Sequence, residues 1–206
     1  MPLHQHITPD TSTNIWIWEA SESNEELLSK ANNLGWTLDI AHISGEQRRR
    51  EIITTHLLMS LAGITAIQHD TDGRPYCREY HSISLSHSKQ WVTLATHQSS
   101  TIGIDIECIT DRVLRVATRF MNEQELSYLS PDDLQTTLIS WCAKETAYKI
   151  IGHPATDFRA TLRIHPFNAM QEGNLRIEHL TSSQILTLHY QSSSSHYMLV
   201  YGVKQE

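Results

Sequence analysis

Gly103-Ile104-Asp105-Ile106-Glu107 is the stretch on which the fold turns. Side chains alternate faces along a strand, so Ile104 and Ile106 point to a core while Asp105 and Glu107 share the opposite face. Adjacent carboxylates repel each other, and desolvating them adds to the cost. A cation between them offsets both. Oxygen-only ligands at a strand end favour Mg²⁺, which takes one or two carboxylates plus substrate phosphates. An edge strand with a solvated polar face shows the same alternation, so this stretch alone leaves both readings open.

A second cluster, Trp141-Cys142-Ala143-Lys144-Glu145-Thr146-Ala147-Tyr148-Lys149, begins 141 − 103 = 38 residues after Gly103. At about 100° per residue, Trp141, Lys144, Glu145 and Lys149 fall within an arc of about 140°. One helix face then carries an aromatic ring, a carboxylate and two ammonium groups. An ordinary exposed helix with a Glu145–Lys149 pair worth ~0.2–0.5 kcal/mol has the same spacing. The third cluster is Ser86-His87-Ser88, at a strand end before a polar turn. A histidine between hydroxyls can donate to a phosphate oxygen while a neighbour fixes its other nitrogen. Isolated surface histidines are equally common. A nucleophilic Ser86 lacks a G-x-S-x-G elbow and an Asp placed to orient the histidine.

Around these clusters the pattern is α+β. Ile15 to Trp18 is an apolar strand. Ser23-x-x-Glu26 and Ser44-x-x-Gln47 have capping-box spacing and open two helices, which stop near Gly35 and Gly63. Asp72-Gly73-Arg74-Pro75 is turn chemistry. Strands are expected over Ser82–Ser86, Trp91–Thr96 and Thr101–Ile106. A helix over Asp111–Phe120 and a short one from Asn122 follow. A long helix runs from Pro131 to about Ile150, ended by Gly152 and Pro154. Strands return at Leu162–Ile164, Leu175–Leu180, Ile185–Tyr190 and Tyr197–Val203, with a polar loop tip at Ser192–Ser195. Strand, turn and strand follow a helical segment in each half, which predicts two α+β halves meeting near residue 100.

Composition narrows the partners. The 206 residues hold 16 Lys+Arg and 23 Asp+Glu, a net charge of −7, which argues against nucleic acid. No apolar run reaches the ~20 residues that span a bilayer. Met1 to Asp10 has neither the basic nor the apolar region of a secretory signal. Cys77, Cys108 and Cys142 suit neither a disulfide framework nor a structural zinc site, so a reducing cytosol is expected. There is no G-x-x-x-x-G-K-[ST] loop and no G-x-G-x-x-G. With 8 glycines, a nucleotide would be held by side chains and metal.

In chain order stand Gly73-Arg74-Pro75, Ile83-Ser84-Leu85-Ser86-His87-Ser88, Gly103-Ile104-Asp105-Ile106-Glu107, Arg119-Phe120 and Trp141-x-x-Lys144-Glu145-x-x-x-Lys149. This ordered set resembles the 4′-phosphopantetheinyl transferase superfamily, in its longer, two-lobed surfactin-synthetase-activating type. The resemblance covers residues 73 to 149. It implies an α+β, 4′-phosphopantetheinyl transferase-like fold of two pseudo-symmetric lobes, each with a small antiparallel sheet and packed helices. The N-terminal lobe, residues 1–100, would be the coenzyme A side. The C-terminal lobe, 101–206, would carry the metal and catalytic residues, with the active site between the two.

The implied reaction moves phosphopantetheine from coenzyme A, the co-substrate, to a serine of an apo acyl or peptidyl carrier protein. Adenosine 3′,5′-bisphosphate is released. Asp105, Glu107 and Glu145 would ligate Mg²⁺. Glu145, or a metal-bound water near it, would take the serine proton. Lys149, assisted by Lys144, would stabilise or protonate the leaving phosphate. Ser86 and His87 would hold phosphate oxygens, and Arg74 with Pro75 would lie near the adenine and 3′-phosphate. Arg50 is the best-placed 3′-phosphate ligand, with Arg48 and Arg49 as alternatives. Thr146 stands where the family usually has Ala or Ser. Carrier proteins of such enzymes present an acidic helix, so Arg112, Arg115 and Arg119, spaced i, i+3, i+7, form an expected contact stripe. The chain is expected to be a monomer, in the cytoplasm. Two other readings use the same residues: a non-catalytic coenzyme A-binding scaffold of this fold, and a metal-dependent phosphodiester hydrolase.

Overall fold

The four-residue apolar run Ile15–Trp18 sits inside a strand that cannot face water on either side, and a sheet forms around it. The computed structural model describes residues 3–152, 157–193 and 196–204. It divides into two compact units, Met1–Ser99 and Ser100–Glu206.

In the first unit, β1 (Leu3–Ile7), β2 (Thr13–Glu19), α1 (Asn24–Asn33) and α2 (Glu46–Ala62) precede a short hairpin of β3 (Gln68–His69) and β4 (Pro75–Tyr76). The long hairpin β5 (Ser82–Ser88) and β6 (Trp91–His97) completes it. The sheet is antiparallel, in the order β1-β2-β6-β5. Ile15, Trp16, Ile17 and Trp18 are all buried, and Trp16 and Trp18 pack in one core with Leu57 and Leu58 of α2. The edge strand β1 was not expected. Its sequence, LHQHI, has an exposed polar centre, and its pairing to β2 is helped by His6, whose ring stacks on Trp16 at 4.8 Å.

The two capping boxes fare differently. Ser23 and Glu26 cap α1 reciprocally, backbone N–H to side-chain oxygen both ways. The box expected at Ser44 is not formed. Gly45 occupies the cap position with φ 93° and no side-chain hydrogen bond, which leaves Ser44 one residue outside the helix.

In the second unit, β7 (Ile102–Cys108) leads into a 3-10 helix over Asp111–Val116 and then α3 (Ala117–Phe120). The expected single helix over Asp111–Phe120 is thus two tight pieces. Next come α4 (Glu123–Tyr128), α5 (Leu134–Ile151), α6 (Phe158–Thr161), β8 (Leu162–Ile164), β9 (Glu172–His179), β10 (Gln184–Ser193) and β11 (Tyr197–Val203). The antiparallel sheet runs β7-β11-β10-β9-β8. The long helix α5 starts at Leu134, capped by Asp133, whose side chain accepts from Thr136 N–H at 2.7 Å. It is buried nearly all round, as befits a helix between a sheet and other helices. Gly152 ends it with φ 90°; Pro154 lies outside the described residues. Gln191 to Ser193 extend β10 rather than opening a loop, and Ser194 and Ser195 also lie outside the described residues. No described helix is long and apolar enough to cross a membrane.

Gly103 decides how closely α5 approaches β7. A Cβ there would stand 2.5 Å from the Thr146 carbonyl and 2.8 Å from Ile150 Cγ1. Only glycine lets the acidic strand approach the backbone of the long helix this closely.

Candidate active site

Strand β7 buries Ile104 and Ile106 fully and turns Asp105 and Glu107 to its other face, where α5 lies. That packing joins the two clusters. Lys149 Nζ donates to Asp105 Oδ1 at 2.9 Å and to the Ile104 carbonyl at 2.8 Å. One helix face earlier, the indole N–H of Trp141 donates to Glu107 Oε1 at 3.2 Å. Glu145, between them in sequence, feels the whole group. Burial, then the negative charge of Asp105, push its carboxyl up to about 7; Lys149 opposes the rise and Glu107 adds to it. The Cys142 thiol is driven well up by burial and the charges of Asp105 and Glu107.

The three carboxylates are electrostatic neighbours but not a closed ligand shell. Among the described residues no group of three or more His, Cys, Asp or Glu is drawn together to hold a metal ion. The charge balance still fits a divalent cation. Three carboxylates share the region with the ammonium of Lys149, and Glu145 is raised first by burial and then by the negative charge of Asp105.

Lys144 is not brought to this face, contrary to the expected assisting role. Its side chain is fully buried and its Nζ donates to Glu125 Oε2 (2.7 Å) and to the carbonyls of Phe120 (2.7 Å), Leu162 (3.1 Å) and Phe158 (3.2 Å). Burial lowers its pKa, and the Glu125 carboxylate opposes that. The physical reason is its place at the edge of the helical arc, about 60° from Trp141 on the side away from Lys149. Glu125, whose pairing with Lys144 the sequence does not show, also accepts from the backbone N–H groups of Asn122 (2.7 Å) and Ile164 (2.8 Å). It therefore ties α4 and β8 to α5.

Beside Glu107 opens a cavity of about 840 Å³. Trp141, Phe120 and Phe158 form its aromatic side, and Arg112 and Arg119 supply cationic groups. Trp141 meets Phe120 edge-on at 5.2 Å and Phe158 at 5.9 Å. Lys144 holds the backbone of both phenylalanines, so it shapes this cavity from behind. Arg112, Arg115 and Arg119 are all exposed, and Arg115 pairs with Asp111 at 3.2 Å.

The remaining candidates lie in the first unit. His87 is the last residue but one of β5, with its side chain half exposed, and Ser86 beside it is buried. A carboxylate the sequence reading did not connect to it, Glu51 of α2, lies 3.2 Å from His87 Nδ1. The three arginines of α2 separate clearly. Arg48 is spent on Glu51 (3.1 Å) and Arg49 on the Ile43 carbonyl (2.7 Å). Arg50 has a buried Nε without a hydrogen-bond partner among the described residues. Arg74 and Pro75 are placed by the β3–β4 turn, where Asp70 accepts from Arg74 N–H at 2.9 Å and Gly73 takes φ 79°. No hydrogen bond or ion pair among the described residues joins the Arg74 side chain to Arg50 or His87.

Comparison with known proteins agrees with this geometry. A curated relative, "4′-phosphopantetheinyl transferase gsp" of Aneurinibacillus migulanus, is 31% identical over 84 residues, 39% of this chain and 35% of that protein. The match thus spans about a third of the relative's length. Residues 101–200, which hold β7, α5 and every contact between them, match the family model of the 4′-phosphopantetheinyl transferase superfamily, and it is to that superfamily that this segment is similar.

Proposed function

We propose that the protein transfers 4′-phosphopantetheine from coenzyme A to a serine hydroxyl of an apo carrier protein. One observation carries the reading: β7 and α5 pack so that Asp105 meets Lys149 and Glu107 meets Trp141, within the segment that matches the superfamily. Asp105, Glu107 and Glu145 would hold Mg²⁺, which when bound offsets charge on the pyrophosphate of coenzyme A.

Glu145, whose carboxyl burial and the charge of Asp105 push up to about 7 in the metal-free chain, or a water near it, would take the serine proton. The serine Oγ then bonds to the pantetheine-bearing phosphorus. The bond from that phosphorus to the bridging oxygen breaks, and adenosine 3′,5′-bisphosphate leaves with the electron pair. Lys149 supplies the positive charge that stabilises the leaving phosphate. The cavity beside Glu107 has the volume and mixed lining for the pantetheine arm. In the N-terminal unit, Ser86 and His87 would hold phosphate oxygens and Arg50, with its spare buried donor, the 3′-phosphate; Arg74 and Pro75 would flank the adenine. Lys144 is a positioning group rather than a catalytic one.

Incubation with coenzyme A, Mg²⁺ and an apo carrier, followed by mass spectrometry of the carrier, tests the proposal. A covalent phosphopantetheine adduct supports it. Coenzyme A cleaved without adduct points to hydrolysis, and binding without turnover to a scaffold; either overturns it. Asp105→Ala and Glu145→Ala should abolish the adduct.

A further inference from the structure

Glu51 stands out in the region assigned to phosphate. It is almost fully buried, and a buried carboxylate beside an anion site should repel the anion. Its partners explain it. Oε1 accepts from Gln47 Nε2 at 3.1 Å and lies 3.2 Å from His87 Nδ1, while Oε2 accepts from Arg48 at 3.1 Å. Gln47 also donates to the Lys89 carbonyl, which ties α2 to the β5–β6 turn just past His87. Helix and strand end are thus locked together around one carboxylate.

We propose that Glu51 is a positioning residue which makes His87 bind phosphate only as an imidazolium, so that coenzyme A binding takes up a proton. The inference rests on the reading of His87 as a phosphate-binding group. An ionised carboxylate only accepts hydrogen bonds. A bare ring nitrogen 3.2 Å away would set lone pair against charge, so Nδ1 carries the proton. A neutral His87 then presents a lone pair at Nε2, which a phosphate oxygen repels. Only a second proton turns Nε2 into a donor, and Glu51 stabilises the cation that results. Glu51 sets negative charge against Nδ1; the cationic groups on the neighbouring elements are Arg48, on the same helix face, and Lys89, in the adjoining turn. Arg74 and Tyr76 belong to the β4 hairpin, which packs along β5. Bound phosphate adds negative charge and tips the balance towards protonation.

Two measurements on the full chain test this. The first is the dissociation constant of coenzyme A between pH 7.5 and 9, for wild type, His87→Gln and Glu51→Gln. Wild-type affinity should fall up to about tenfold per pH unit more steeply than that of His87→Gln, and Glu51→Gln should lose most of the excess slope. Equal slopes in wild type and His87→Gln overturn the inference. The second is the ¹⁵N shifts of the His87 ring in the free protein at pH 8.5. The Nδ1–H tautomer should dominate in wild type and give way to Nε2–H in Glu51→Ala. A tautomer unchanged by Glu51→Ala overturns it independently of any ligand. No coenzyme A binding at all, with the tautomer switching as expected, overturns the phosphate reading and the proton coupling but not the Glu51–His87 contact.

Discussion

Lys144 Nζ lies 2.7 Å from Glu125 Oε2 with neither side chain exposed. Three backbone carbonyls complete the lysine's shell, and two backbone N–H groups complete the carboxylate's. Because every donor and acceptor is met, the pair can be tolerated in the core. Removing one partner strands the other. Lys144→Met should lower stability by about 3–5 kcal/mol in denaturant unfolding. The double variant Lys144→Met, Glu125→Gln should regain part of that and, once folded, keep transfer activity. A Lys144→Met protein of normal stability without activity would instead return the lysine to catalysis.

Gly103→Ala tests the contact between the acidic strand and α5. The new methyl would meet a carbonyl, Thr146 O, at 2.5 Å, and backbone cannot swing aside as a side-chain tip does. The helix must shift, at a cost of about 1–3 kcal/mol. A shift also separates Asp105 from Lys149, so activity should fall further than stability alone explains. Wild-type melting and turnover in this variant would show that the close approach is not required.

These contacts mark where sequence reading stops. The two formed boxes, Ser23–Glu26 and Asn122–Glu125, were legible or nearly so because capping is decided within four residues. The Ser44 box had the right spacing, but a positive φ at Gly45 moved the helix start. Helical spacing put Trp141, Glu145 and Lys149 on one helix face, and the structure brings Lys149 and Trp141 of that face to Asp105 and Glu107. Spacing could not say that Lys144, at the edge of the same arc, would find Glu125, 144 − 125 = 19 residues earlier in the sequence. Glu51 and His87 are 87 − 51 = 36 residues apart, and nothing local in either segment announces their meeting. The polar edge strand β1 escaped for a related reason: its pairing is dictated by β2, not by its own pattern.

Glu145 predicts a pH dependence. Its carboxyl is raised from 4.5 to about 7 in the folded chain. The native state therefore holds the proton more tightly than the unfolded state, and stability falls as pH rises through that window. The penalty is fully present above about 7 and absent below about 4.5. Without Mg²⁺, the chain should be less stable at pH 8 than at pH 5.5, by at most about 3 kcal/mol from this group. Glu145→Gln should flatten that difference, and Mg²⁺ should raise the wild-type melting temperature more at pH 8 than at pH 5.5. The measurement is thermal melting of both proteins at both pH values. An unchanged pH profile in Glu145→Gln would show that the carboxyl is not the group responsible.

The arginine stripe predicts how a carrier is recruited. Arg112 and Arg115 are one turn apart on a 3-10 helix, a geometry in which side chains eclipse. Arg112 and Arg119 also line the cavity beside Glu107. On a chain of net charge −7, such a local patch would steer an acidic partner. The double variant Arg112→Glu, Arg115→Glu should lower kcat/KM for the carrier by more than tenfold at low salt. Coenzyme A affinity should fall much less, and any such loss should come from Arg112, which lines the cavity. Raising the salt should shrink the difference, since exposed charges are screened over about 8 Å at physiological ionic strength. Arg115 already spends charge on Asp111, so the single Arg112→Glu change should account for more of the loss than Arg115→Glu. Equal losses for carrier and coenzyme A would mean that the stripe serves the nucleotide or the fold, and that the carrier docks elsewhere.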